Sequence, residues 1–435
     1  MTDIRRTVEG DRISIYKYDT DKFKSENVSV YFSLPICREK AVARSLLLAV
    51  LKRGTEKYPM QKLINERLDE LYATLVDLKN QKFEALQLLG VSADMIYSSY
   101  TDSGEDLLPQ TLEVISQMLF HPLRDENGLL LSEYLESEKE NYKSIILSQI
   151  NEPRTYAAIR CREEMFATLG IIDRLETMCE RIDKTTVRDV CECYREMLEN
   201  AKIMVFYVGK RSDEELASRI LHIFGGGDEV SFKREDVDIK MLENLEQPRT
   251  VIEEMDVSQS RLVMGFNCRT TWKDEGYYAM LLCNEILGSS PISKLMMNVR
   301  EKLSLCYECS SVYNSARGAI FVTTGIDREN YDLAREAIIA QVESIKNGEV
   351  SENEFLAAKK SIMNVYSAIS DSPDAIERFY LGRIVNGIDV DIDEFLDKIE
   401  ALTLDDVIEA ARKIDLHTVY FLRGDGSEEE DPFYE

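Results

Sequence analysis

Apolar and polar positions along the chain fall into two runs of elements in the same order. A strand pattern, Val28-Ser-Val-Tyr-Phe-Ser-Leu34, precedes a helical one over about 38–53. That helix puts Val42, Leu46, Leu47, Val50 and Leu51 on one face and stops at Gly54. The pair recurs as a strand over Arg261–Phe266 and a helix over about 274–287 that stops at Gly288. Pro59-x-x-Lys62-Leu63 is answered by Pro291-x-x-Lys294-Leu295. β-rich stretches then open at Leu71-Tyr72, to about 94, and at Cys306-Tyr307, to about 326. Two helices follow in each half. In the second half they span about 329–347 and 351–369, the last opened by a Ser351-x-x-Glu354 capping box. Thr186-Val-Arg-Asp189 and Thr403-Leu-Asp-Asp406 predict Thr-capped helices that lead into final strands at Ile203–Gly209 and Val419–Gly424. Asp371–Tyr380 reads as a break followed by a structural helix, with Ser372 as N-cap and Pro373 in the first turn.

Individual identities are weak, but the shared order at a slowly drifting offset points to an internal duplication. Strands, then helix pairs, then a last strand specify an α+β class. The expectation is two homologous α/β-roll domains, each a largely antiparallel sheet with helices on one face, facing each other across a cleft. The domains are placed at 1–225 and 251–435, joined by a linker over 226–250 that opens within Gly225-Gly-Gly-Asp-Glu. The tail from Gly424 to Glu435 carries Asp425, Glu428, Glu429, Glu430, Asp431 and Glu435 without a base, and reads as a solvated end.

Composition narrows the function classes. The 435 residues are 44% hydrophobic and 31% charged, as in globular chains. The net charge of −27 opposes nucleic-acid backbone binding, which needs a basic footprint. It is compatible with basic peptides, although a soluble acidic protein has the same signature. No apolar run approaches the ~20 residues that span a bilayer, and no leader-like segment opens the chain, so a cytoplasmic location is expected. Only three histidines occur, His121, His222 and His417, too few for a His-rich metal site. The nine cysteines, an odd number irregularly spaced, read as reduced thiols. Cys306-x-x-Cys309 is formally a CxxC, but it has no second CxxC for zinc and no βαβ setting for redox work. Trp272, the only tryptophan, reads as packing.

GxGxxG, GxxxxGK[ST], GxSxG and HExxH are all absent. The informative segment runs Asn298-Val-Arg-Glu-Lys-Leu-Ser-Leu-Cys-Tyr-Glu-Cys-Ser-Ser311, after Ile286-Leu-Gly-Ser-Ser-Pro-Ile-Ser-Lys-Leu295. With Arg300-Glu-Lys-x-x-Leu-x-Tyr307 at its centre, it resembles the pitrilysin, insulinase and mitochondrial processing peptidase family of inverzincin metallopeptidases. The resemblance covers essentially the whole chain, including its duplicated halves and glycine linker. The family motif His-x-x-Glu-His puts two zinc ligands and a catalytic base on one helix face. Counting back from Gly54-Thr55, Ser45 and Ala49 stand at the His positions and Leu48 at the Glu position. None can bind zinc or act as base, so 45–49 reads as an ordinary helix face. The distal zinc-binding Glu of the family would fall near Ser144.

What the resemblance leaves in place is the other half of the chemistry. In such families an Arg and a Tyr of the C-terminal half reach the bound peptide, and Arg300 and Tyr307 match them. A guanidinium offers fixed donors to peptide carbonyls, and a phenol can donate to the oxyanion formed as water attacks. On residue types alone, the two are an Arg on a helix flank and a half-buried strand Tyr. The resemblance therefore implies a chain without its own cofactor, like the small two-domain bacterial members encoded in pairs. The implied partner is a homologous subunit bearing the zinc, with a peptide as substrate. Homodimers are possible for the isolated chain. The alternative from another class is a scaffold subunit with no role in proteolysis.

Overall fold

The computed structural model describes residues 4–9, 12–83, 86–169, 174–225, 241–243 and 245–424. Most of the expected linker and all of the acidic tail lie outside these residues. The chain forms two compact units, each drawn from both halves of the sequence. The first comprises Met1–Ser144, Glu176–Val237 and Ala368–Asp391, the second Ile145–Leu175, Asp238–Ser367 and Ile392–Glu435. Among the described residues no helix is long and apolar enough to cross a membrane.

The first unit holds a six-stranded sheet. Its strands are β1 (Ile4–Glu9), β2 (Ile13–Asp19), β3 (Ser25–Pro35), β4 (Leu75–Lys82), β5 (Leu86–Ile96) and β6 (Lys202–Gly209). They lie in the order β1-β2-β6-β3-β5-β4, antiparallel except for the parallel β2–β6 pair. The charged N-terminal segment is thus a hairpin, with Ile13 and Ile15 buried on one face. The second unit holds five strands: β7 (Arg249–Met255), β8 (Ser260–Asn267), β9 (Cys306–Asn314), β10 (Ala319–Ile326) and β11 (Asp415–Gly424). Their order is β7-β11-β8-β10-β9, and only β7–β11 is parallel. Both sheets are therefore largely antiparallel within an α+β fold, as the duplicated pattern predicts.

Successive residues of β3 are buried on both faces, so each face has its own cover. On one face Phe32 meets Phe120, ring centroids 6.4 Å apart. On the other, Tyr31 packs with Leu86, Leu88, Leu381 and Val385. Leu381 and Val385 belong to the helix Pro373–Asn386, which comes from the C-terminal half of the sequence. The exchange is mutual. Helix Pro153–Met165, from the N-terminal half, packs on β8, β10 and β11 of the second unit. There the Cys161 thiol donates to the Val263 carbonyl at 3.7 Å, and Phe166 stacks edge-on against Phe321. Gly265 makes the close approach possible, because a Cβ there would come within 2.6 Å of Met165 Sδ.

Local signals locate the helix starts correctly. Thr186 and Thr403 each form a full capping box, with Asp189 and Asp406. Ser351 and Glu354 exchange the same reciprocal bonds. Ser372 caps the exchanged helix through the Ala375 amide. The predicted stop at Gly288 falls inside a π turn instead. The helix Tyr277–Asn284 continues as π geometry over Glu285–Ser289, and a second π segment runs over Leu295–Lys302.

Candidate functional site

Ser45, Leu48 and Ala49 lie on the helix Ala41–Leu51 of the first unit. Leu48 is core. Ser45 and Ala49 are half-buried, and their surroundings are already satisfied. The Ser45 hydroxyl donates to the Ala41 carbonyl at 2.9 Å and accepts from Asn80 Nδ2 at 2.8 Å. Asn80 Oδ1 accepts from Gln87 Nε2 at 3.0 Å, and Gln87 Oε1 accepts from Arg44 at 3.2 Å. Arg44 is 1% exposed; it also donates to the Pro35 carbonyl at 2.7 Å and pairs with Glu196 at 3.1 Å.

A chain of hydrogen bonds running from a buried guanidinium thus ends on Ser45. The Ser45 hydroxyl is already engaged as donor and acceptor, and the fixed positive charge of Arg44 opposes a cation nearby. Among the described residues no group of three or more His, Cys, Asp or Glu is arranged to hold a metal. Arg44, Asn80 and Gln87 escape sequence reading because β4 and β5 bring two of them to the helix. The one available signal is a charged residue inside the apolar run Val42–Leu51. Ser144 is exposed on the helix Ser132–Ile150.

Arg300 and Tyr307 lie in the second unit and line one open pocket, together with Ser304, Leu305, Cys306 and Asp327. Its volume is about 330 Å³. Two departures from regular backbone shape it. Arg300 stands in the π segment, and Ser304, at φ 51°, turns the chain through the left-handed region. A bulge then interrupts the edge strand β9. Cys306 pairs with Ile326 and Glu308 with Gly325, which leaves Tyr307 as the extra residue. Tyr307 is 77% exposed, and its hydroxyl has no hydrogen-bond partner among the described residues. The Arg300 guanidinium, 42% exposed, pairs with Glu301 at 2.9 Å. Glu308 anchors the bulge through Arg154 at 2.7 Å and Arg261 at 3.0 Å. Arg300 and Tyr307 thus offer the pocket a cation and a free phenol, a pair that can bind a peptide carbonyl or an oxyanion, beside the carboxylates of Glu301 and Asp327. Trp272 is half-buried, with Lys273 over its ring.

Residues 184–362 match a family model described as the peptidase M16 inactive domain. The chain is 28% identical over 410 residues to the probable inactive metalloprotease YmfF of Bacillus subtilis (strain 168), covering 93% of this chain and 94% of that one. A crystal structure of a conserved protein from Enterococcus faecalis V583 superposes with a TM-score of 0.85 at 24% identity, covering 98% and 99% of the two chains. That of a peptidase M16 inactive domain from Pseudomonas fluorescens gives 0.74 at 15%, covering 97% and 98%. The resemblance read from the sequence agrees with these likenesses: the chain is similar to inactive M16 peptidase-like proteins.

Proposed function

We propose that this M16 peptidase-like chain is the zinc-free subunit of a two-chain peptidase. A homologous partner supplies zinc and base. This chain supplies Arg300 to hold peptide carbonyls and Tyr307 to donate to the oxyanion formed at the partner's zinc. The peptide lies extended against a sheet edge of the zinc-bearing subunit. Alone, the chain is inactive, and it can self-associate through the surfaces its partner uses.

One observation carries the reading. A phenol 77% exposed, with no partner for its hydroxyl among the described residues, sits on a bulge in the pocket that Arg300 also lines. A residue kept for packing would bury that ring. The test mixes the chain with a zinc-bearing homologue and follows single-turnover cleavage of a peptide. Tyr307→Phe should lower the rate ~10²–10³-fold, the usual effect of deleting one oxyanion donor, with an unchanged thermal melt. A wild-type rate for that variant in a cleaving complex would leave the chain a scaffold. Failure to form a heterodimer at micromolar concentration would remove the pairing itself.

A further inference from the structure

The sheet of the second unit ends at β9, which bonds to β10 alone. Between Cys309 and Tyr313 no backbone group on the outer side of β9 has a hydrogen-bond partner among the described residues. Such a row of N–H and C=O groups is a template for one more strand.

The sheet edges among the described residues are β1, β4, β7 and β9. Three of them carry the charges that blunt an edge: Arg5 and Arg6 in β1, Asp77 and Lys79 in β4, Glu253 and Glu254 in β7. β9 has no Lys, Arg or Pro, and its one charge, Glu308, is spent on Arg154 and Arg261. Past Glu308 the strand is neutral to its end at Asn314. Its apolar side chain also lacks cover. Val312 stands opposite Phe321 in the register, and Phe166 packs on Phe321 but leaves Val312 65% exposed. We propose that a second copy of this chain adds its β9 to this edge, antiparallel and about a two-fold axis, with Val312 opposite itself.

Charge selects that occupant and that surface. Two copies at −27 each repel, so a contact between them needs a neutral patch. A two-fold axis at Val312 sets Ser311 against Tyr313 of the other copy and Ser310 against Asn314, and no charge meets a like charge. One strand supplies both sides, as a symmetric contact demands. The two five-stranded sheets join as one of ten, within the range of open sheets. A strand this short should bury less than the ~1,200 Å² of a stable interface, so the dimer is transient and grows with concentration. The pairing stands independently of any role in proteolysis.

The test is sedimentation velocity of the full-length reduced chain, from micromolar to millimolar concentration, at low and high salt. A dimer should appear as concentration rises, and salt should strengthen it by screening the repulsion. Val312→Lys should weaken it about tenfold, because an apolar pair is lost and two like charges face each other. The thermal melt should not change. Val312→Cys should give a disulfide-linked dimer on mild oxidation. Opposed residues of an antiparallel pair lie ~4.5–5.5 Å apart at Cα, inside the ~4.4–6.8 Å that a disulfide takes. Val365→Cys, on a helix at 63% exposure, is the matched control and should link far more slowly.

A chain that stays monomeric into the millimolar range would overturn the proposal. So would a dimer untouched by Val312→Lys, or equal cross-linking of the two cysteine variants. The cysteine pair decides the matter should the lysine variant fail to fold. A monomer that binds a zinc-bearing homologue and loses it with Val312→Lys would overturn the proposal in favour of that partner.

Discussion

The Tyr31 hydroxyl donates to Glu377 Oε1 at 2.6 Å, joining a strand of the N-terminal half to a helix of the C-terminal half inside one core. Ser29 donates to the other carboxylate oxygen at 2.9 Å, and Glu377 is 3% exposed. Burial raises its pKa, although both hydroxyls and Lys79 pull the other way.

That direction fixes a pH dependence. A carboxyl with a raised folded-state pKa binds its proton more tightly when folded. Its stabilising contribution is complete below the unfolded value and is lost as pH rises through the folded one. Glu377→Gln keeps an acceptor for Tyr31 and removes the titration. Melting temperatures across pH 4–8 should show the variant gaining on wild type as pH rises. A constant difference would refute the assignment. Glu377→Ala takes the acceptor from Tyr31 and should cost about 1–3 kcal/mol at the acid end of that range.

Arg44 supports the helix Ala41–Leu51. Removing it takes one charge partner from Glu196, which keeps Lys40 at 3.5 Å, and the donor from Gln87. Glu196 is 23% exposed, so water repairs part of the loss. Arg44→Ala should therefore cost about 2–4 kcal/mol, below the ~3–5 of a fully buried pair, measured by urea unfolding.

Zinc affinity should not arise when histidines are placed at the positions the resemblance assigns to ligands. Ser45→His with Ala49→His places two imidazoles beside the Arg44–Gln87–Asn80 network without a third ligand, and zinc needs at least three. Elemental analysis after gel filtration should find no stoichiometric zinc in wild type or variant. One zinc per chain in either would contradict this reading.

Arg300→Lys tests the guanidinium in the reconstituted pair. The charge survives but the planar fork does not, so turnover should fall while the melt stays put. Equal rates for Lys and Arg would mean that only charge matters there.

Thr186→Ala and Thr403→Ala remove equivalent caps from the two halves. Each should cost about 1 kcal/mol in chemical unfolding, and unequal losses would mark the two copies as energetically diverged.

Sequence reading succeeded where information is local. Thr186, Thr403, Ser351 and Ser372 declare helix starts through side chains that bond amides three residues on. Arg300 and Tyr307 fall within one short segment, and the fold brings them to one pocket. Sequence reading missed what depends on distant chain. Asp371–Tyr380 was legible as a helix, but nothing in it says that Glu377 faces Tyr31. The Arg44–Gln87–Asn80–Ser45 chain needs β4 and β5 folded onto a helix thirty residues earlier. The bulge that turns Tyr307 outward is a register event between β9 and β10, invisible in the spacing alone.

The exchanged helices also govern when the chain can fold during synthesis. Many chains complete an N-terminal domain while the rest is still being translated. Here the first unit takes Ala368–Asp391, so its sheet waits with Tyr31 and Leu88 uncovered until nearly nine-tenths of the polypeptide has left the ribosome. A nascent chain arrested before residue 368 should bind holdase chaperones. Release should coincide with emergence of the helix that carries Glu377.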